Sequence, residues 1–167
     1  MHLDSLYCGC SILSPMQRIL FVCHGNICRS PMAEFIMKDI VRKHGFDDVI
    51  IESCATSTEE IGNDIYPPAK RELERHGISY KSRSARQMTS SDYGDYDYII
   101  AMDRNNLRNM KRFVGNDPEN KVSLMMDFAG EHRDVADPWY SGDFEKTFDE
   151  ISEACEAFFR DILSKKK

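Results

Sequence analysis

The chain predicts an α/β fold in which a parallel sheet is covered on both faces by helices. Strand-like and helix-like patterns alternate along most of its length. The short apolar runs have the length and composition of buried strands. At 167 residues the chain is long enough for one domain with a real core and too short for two ordinary ones.

The elements follow in order. Met1 to Pro15 is weakly patterned and is expected to be a disordered extension, an expression remnant or an upstream start, with the working domain over 16–167. Arg18 to Val22 is a short apolar run that reads as a buried strand. Ser30 and Pro31 then give a helix-start signal, Ser at the N-cap and Pro at the first helical position. Phe35, Ile36, Asp39, Ile40 and Lys43 follow at helical spacing, with Gly45 just past the expected end. Val49 to Ala55, rich in β-branched residues, is a second strand. A loop from Thr56 to Tyr66 leads to Pro67 and Pro68, which open a helix stopping near His76 and Gly77. Tyr98 to Met102 reads as a third strand, after which Asp103 caps a helix carrying Leu107, Met110 and Val114 and followed by Gly115. Val122 to Met126 reads as a fourth strand. Phe144 to Leu163 is amphipathic, with Phe144, Phe148, Ile151, Cys155, Phe158, Phe159 and Ile162 on one side.

Composition narrows the function classes. A hydrophobic fraction of 41% and a charged fraction of 30% are those of a soluble globular protein. The net charge of −6 weighs against broad nucleic-acid or anionic-membrane binding, while leaving room for a local basic mouth. No apolar run approaches the roughly 20 residues of a membrane span. The N-terminus lacks a basic stretch followed by an apolar block, so no signal peptide is expected. The six cysteines, Cys8, Cys10, Cys23, Cys28, Cys54 and Cys155, are therefore read as reduced thiols of the cytoplasm. His44 and His76 stand near helix C-termini, where the dipole favours a cation, and His132 lies in a polar loop.

The chemistry is expected in Cys23-His24-Gly25-Asn26-Ile27-Cys28-Arg29-Ser30-Pro31, between the first strand and the first helix. Ligands of parallel sheets collect at the C-terminal ends of the strands. A loop entering a helix offers converging backbone N–H groups and the positive end of the helix dipole, which together suit a phosphate. Gly25 and Asn26 tolerate the backbone geometry such a loop needs. Arg29 can hold two phosphate oxygens with its planar fork. The same field stabilises a thiolate at Cys23, since a free cysteine with a pKa of about 8.5 is lowered by several units in such surroundings. Cys23 is thus a candidate nucleophile toward phosphorus, against the blander reading of a buried, inert thiol at a strand end.

An alkoxide or phenoxide leaving group needs a proton. Asp137-Pro138-Trp139-Tyr140 offers a donor in Asp137, a loop restrained by Pro138, and two aromatic rings to line the entrance. The alternative is an Asp-Pro turn with two packing aromatics. Asp134 competes for the acid role.

Together these residues resemble the low-molecular-weight protein tyrosine phosphatase family. The resemblance runs from Met16 onward. It rests on Val22 to Pro31, followed by Ala33-Glu34, and on Asp137 to Tyr140. Weaker matches are Ser53 with Thr56 and Ser57, Ala85-Arg86-Gln87, and Met102-Asp103 with Asn106-Leu107. It implies a three-layer α/β/α fold with a central four-stranded parallel sheet, the phosphate-binding loop lying between the first strand and the first helix, and neither cofactor nor metal. It implies a phosphotyrosine-containing protein or peptide as substrate, with phosphate or vanadate-like oxyanions as inhibitors. It also implies roles: Cys23 forms a phosphocysteine, Arg29 binds the phosphate and the transition state, and Asp137 protonates the leaving group and then activates water. Asn26 and Ser30 organise the loop of His24, Gly25, Asn26, Ile27, Cys28 and Arg29, the Ser30 hydroxyl bonding the Cys23 sulfur. Cys28 is the expected partner of Cys23 in a reversible disulfide.

The chain departs from that family at three places. Glu59, with Glu60 beside it, stands where many members carry a cleft aromatic, which leaves Trp139 and Tyr140 as the aromatic side of the substrate cleft. An acidic rim of this kind disfavours acidic peptides and favours basic ones. Arg83 stands where a histidine is common, and His24 holds a variable position expected to face solvent. Other readings fit less well. Thioredoxin-coupled arsenate reductases need relay cysteines, and none lies between Cys54 and Cys155. Arginine phosphatases characteristically carry threonine where Ile27 stands. A phosphate or thiol sensor would not need Asp137, and a zinc site of Cys23, Cys28 and a histidine lacks a second close ligand pair.

Overall fold

The strand expected first, β1 (Gln17–Cys23), lies at the middle of the sheet. In the computed structural model, which describes residues 15–166, it is flanked by β2 (Val49–Ala55) and β3 (Tyr98–Ala101), with β4 (Val122–Leu124) beyond β3. The expectation for the N-terminal extension falls, Pro15 apart, outside the described residues. The order is β2-β1-β3-β4 and every pairing is parallel. Flanked on both sides and covered on both faces, β1 buries Ile19, Leu20, Phe21 and Val22 completely, which is why it reads as a continuous apolar run.

The alternation of β1 divides the core in two. Ile19, Phe21 and Cys23 face α1 (Arg29–Lys43), α2 (Pro67–Arg75) and α6 (Phe144–Asp161). Leu20 and Val22 face Met110 and Val114 of α4 (Arg104–Val114) and Tyr96, which follows the one-turn helix α3 (Asp92–Asp95). The fold is three-layer α/β/α with a four-stranded parallel sheet. The glycine stops are where the pattern put them. At Gly45 the chain turns left-handed (φ 69°), with Phe46 N–H donating to Val41 O at 2.9 Å to close the end of α1. Asp103 caps α4 as expected, in a reciprocal box with Asn106.

Four local expectations are corrected. Ser30 is not the N-cap of α1: the helix begins at Arg29 without a side-chain cap, because the Ser30 hydroxyl turns into the preceding loop. The fourth strand ends at Leu124, and Met125–Ala129 forms a 3₁₀ turn that buries Met125 and Met126 completely. A short apolar run cannot distinguish a buried strand from a buried turn. The last helix ends at Asp161 rather than Leu163, and β3 at Ala101 rather than Met102. A short helix the patterning missed, α5 (Pro138–Ser141), is capped by Asp137. Among the described residues no helix is long and apolar enough to cross a membrane.

Candidate active site

A cavity of about 350 Å³ opens at the C-terminal end of β1. It is lined by Cys23 through Arg29, by Glu59 and Glu60, and by Asp137, Trp139 and Tyr140. The fold thus brings the expected loop, the Asp-Pro turn and the glutamates to one place.

The loop curls because Asn26 accepts a left-handed backbone (φ 60°). Its N–H then points back at the Cys23 sulfur, 3.2 Å away. The first bond of the α1 ladder runs from Met32 N–H to Cys28 O. The amides ahead of it form the open, electropositive end of the helix beside the loop.

Asn26 is fully buried, and Arg83 sets the orientation of its side chain. The Arg83 guanidinium donates to Asn26 O at 2.6 Å and to Asn26 Oδ1. Because a guanidinium only donates, Oδ1 must be the acceptor and Nδ2 the donor. Nδ2 donates to Ser30 Oγ at 2.8 Å and to Ser53 Oγ at 2.9 Å. The Ser30 hydroxyl stands 3.0 Å from the Cys23 sulfur, with Cys54 O a longer alternative acceptor at 3.5 Å. Ser53 donates to Glu34 Oε1 at 2.7 Å, and Lys38 pairs with Glu34 Oε2 at 2.7 Å. A chain of donors and acceptors therefore runs from the surface to the sulfur. Arg83 and Glu34 are parts of it that sequence reading did not assign a role.

Arg29 is 2% exposed and anchored on three sides. Nη1 donates to Asp103 Oδ2 at 2.8 Å and to Val135 O at 2.9 Å, and Nη2 donates to Asp137 Oδ2 at 3.3 Å. Burial opposes its charge, but Cys23, Asp137 and Asp103 outweigh burial and hold the guanidinium above its ordinary pKa. Asp103 serves twice: Oδ1 caps α4 through Asn106 N–H at 2.7 Å while Oδ2 holds Arg29. The cap was legible in the sequence; the second duty was not.

Asp137 caps α5 through Trp139 N–H at 3.0 Å and turns its other oxygen toward Arg29. Asp134 does not line the cavity; its carboxylate accepts from Arg104 N–H at 3.0 Å. Trp139 is 54% exposed and packs on Tyr66, the ring centroids 5.1 Å apart, and Tyr140 is 86% exposed. His24 is exposed, as expected, and its Nε2 lies 2.9 Å from Oε2 of the likewise exposed Glu59.

The four described cysteines are free. Burial, then Cys23 and Asp137, push the Cys28 thiol up, and burial pushes up Cys54 and Cys155. Cys23 differs from them in having two hydrogen-bond donors aimed at its sulfur. Among the described residues no group of three or more His, Cys, Asp or Glu is placed to hold a metal ion.

The family model for low molecular weight phosphotyrosine protein phosphatase matches residues 18–167. The chain is 37% identical over 155 residues to the low molecular weight protein-tyrosine-phosphatase YfkJ of Bacillus subtilis, a match covering 91% of this chain and 99% of that protein. The crystal structure of YfkJ superposes with a TM-score of 0.86, covering 91% of this chain and 98% of that one. The low molecular weight protein tyrosine phosphatase of Streptococcus pyogenes is 40% identical, with a TM-score of 0.80 and coverage of 90% and 95%. A drosophila arginine phosphatase is 31% identical, with a TM-score of 0.77 and coverage of 86% and 96%.

Proposed function

Because the chain belongs to the low molecular weight phosphotyrosine protein phosphatase family, we propose that it hydrolyses phosphotyrosine in proteins or peptides through a phosphocysteine at Cys23. The thiolate attacks phosphorus in line with the leaving oxygen. The S–P bond forms as the P–O bond to the tyrosine breaks, and Asp137 gives its proton to the departing phenoxide. Asp137, now a carboxylate, takes a proton from water as that water attacks phosphorus. The S–P bond breaks, and phosphate and the Cys23 thiolate are regenerated. Arg29 and the loop amides hold the three equatorial oxygens, whose charge is greatest in the transition state. Asn26 and Ser30 keep the loop closed around the sulfur.

One observation carries this reading: the Cys23 sulfur, with the Asn26 N–H and the Ser30 hydroxyl in hydrogen-bond reach at the open end of α1, lines the same cavity as Arg29 and the Asp137 carboxyl bonded to it. A thiolate and an oxyanion are stabilised by the same donors. Phosphate- and vanadate-like oxyanions should therefore inhibit. The free thiols suit a reducing cytoplasm as the working compartment.

The test compares phosphotyrosine, phosphoserine and phosphoarginine peptides with wild type and Cys23→Ser. Turnover of phosphotyrosine that disappears in Cys23→Ser is the expected result. Turnover retained by Cys23→Ser removes the mechanism. A preference for phosphoarginine replaces the substrate, an outcome that matters because an arginine phosphatase shares this fold. Ile27, nearly buried against Cys28, Ala85 and Tyr66, favours the aromatic ester, since its side chain offers the ring apolar surface and a guanidinium no acceptor.

A further inference from the structure

The cavity has opposite charges at its two ends. Its inner end carries Arg29 and the positive end of α1. Its mouth carries Glu59 and Glu60, on the loop between β2 and α2. Neither glutamate is a freely swinging surface side chain. The Glu59 side chain is 68% exposed, yet its Oε2 is tied to His24 Nε2 of the phosphate-binding loop. Glu60 lies over Gly25, where an added Cβ would stand 3.3 Å from its Cγ, and its Oε2 accepts from Asn63 Nδ2 at 2.6 Å. The exposed rings of Trp139 and Tyr140 line the same cavity.

A phosphate dianion entering this cavity passes an opening lined by two carboxylates and two aromatic rings. A substrate that brings only negative charge pays for that passage by repulsion. A substrate with a cation next to the phosphorylated residue sets that cation against Glu59 and Glu60 while the phosphate reaches Arg29. We infer that Glu59 and Glu60 are specificity-determining residues that select phosphotyrosine flanked by lysine or arginine and disfavour acidic flanks. The inference rests on the phosphotyrosine reading above and names its substrate class.

Exposed ion pairs are each worth about 0.2–1 kcal/mol, so one flanking cation facing two carboxylates changes kcat/KM by about two- to thirtyfold. The effect is screened by salt, because the Debye length is already about 10 Å at 0.1 M.

The test uses three phosphotyrosine peptides identical except for lysine, alanine or glutamate on both sides of the phosphorylated residue. Wild type, the double variant E59Q/E60Q and the charge-keeping variant E59D/E60D are assayed at low and high salt. The expected order of kcat/KM in wild type is lysine, then alanine, then glutamate. That order shrinks at high salt, collapses in E59Q/E60Q and persists in E59D/E60D. Equal turnover of the three peptides by wild type overturns this inference alone, as does an order that survives unchanged in E59Q/E60Q. Failure to turn over any of the three overturns the phosphotyrosine reading and this inference with it.

Discussion

Arg83→Ala tests whether the site depends on the chain of donors behind the sulfur. The guanidinium is the charged donor to Asn26 Oδ1, beside the Arg86 N–H at 3.3 Å, and it also holds the Asn26 carbonyl. Asn26 is wholly buried, so removing Arg83 takes a charged donor away from two buried acceptors. A hydrogen bond from a charged donor contributes about 1.5–3 kcal/mol, and two from one rigid group do not add fully. The loss is therefore set at about 1.5–3 kcal/mol against the closed, left-handed form of the loop. If it falls on the population competent for catalysis, kcat/KM drops by about 10- to 150-fold. Arg83→Lys, with one ammonium for two acceptors, should fall between. The assay is hydrolysis of a phosphotyrosine peptide by the two variants and wild type, with urea unfolding of each to measure the loss of global stability. An Arg83→Ala protein within about twofold of wild type in kcat/KM would refute the argument.

The other expectations concern the reacting groups and one supporting carboxylate. Asp137→Asn should lower turnover of phosphotyrosine by about 10²–10⁴, and by much less with a leaving group that needs no proton; equal losses with both would place the acid elsewhere. Arg29→Ala should lose both rate and vanadate affinity, and unchanged affinity in a vanadate titration would contradict its role. Alkylation near neutral pH followed by peptide mapping should mark Cys23 and spare Cys28, Cys54 and Cys155, which burial holds as neutral thiols; prior labelling of any of these three would overturn that ordering. Asp64 is held well below the usual carboxylate range, chiefly by the hydrogen bond from Lys70, with further help from Ile65, Arg83 and Ser82. It binds fewer protons folded than unfolded, so its contribution is complete above about pH 4 and is lost as pH falls through the lower folded value. Asp64→Asn should be less stable than wild type at pH 7, and the gap should narrow toward pH 2; a gap of constant size in urea melts across that range would exclude the linkage.

The sequence by itself determined what depends on near neighbours. The alternation of strands and helices, the glycine stops at Gly45 and Gly77 and the cap at Asp103 are local competitions for backbone hydrogen bonds, decided within a few residues. The segment from Cys23 to Arg29 was legible for the same reason, since a strand, a curling loop and a helix start are contiguous. The tertiary structure alone decided which distant groups complete the site. Arg83 reaches Asn26 across 57 positions, Asp103 reaches Arg29 across 74, and Asp137 reaches it across 108. No periodicity records those distances, because they follow from how α4, α5 and the loop before α3 pack around the end of β1. The same packing moved the start of α1 ahead of Ser30. Once Asn26 and the Cys23 sulfur lie within reach of the Ser30 hydroxyl, bonding them in the buried loop outweighs capping a helix whose open end faces the cavity.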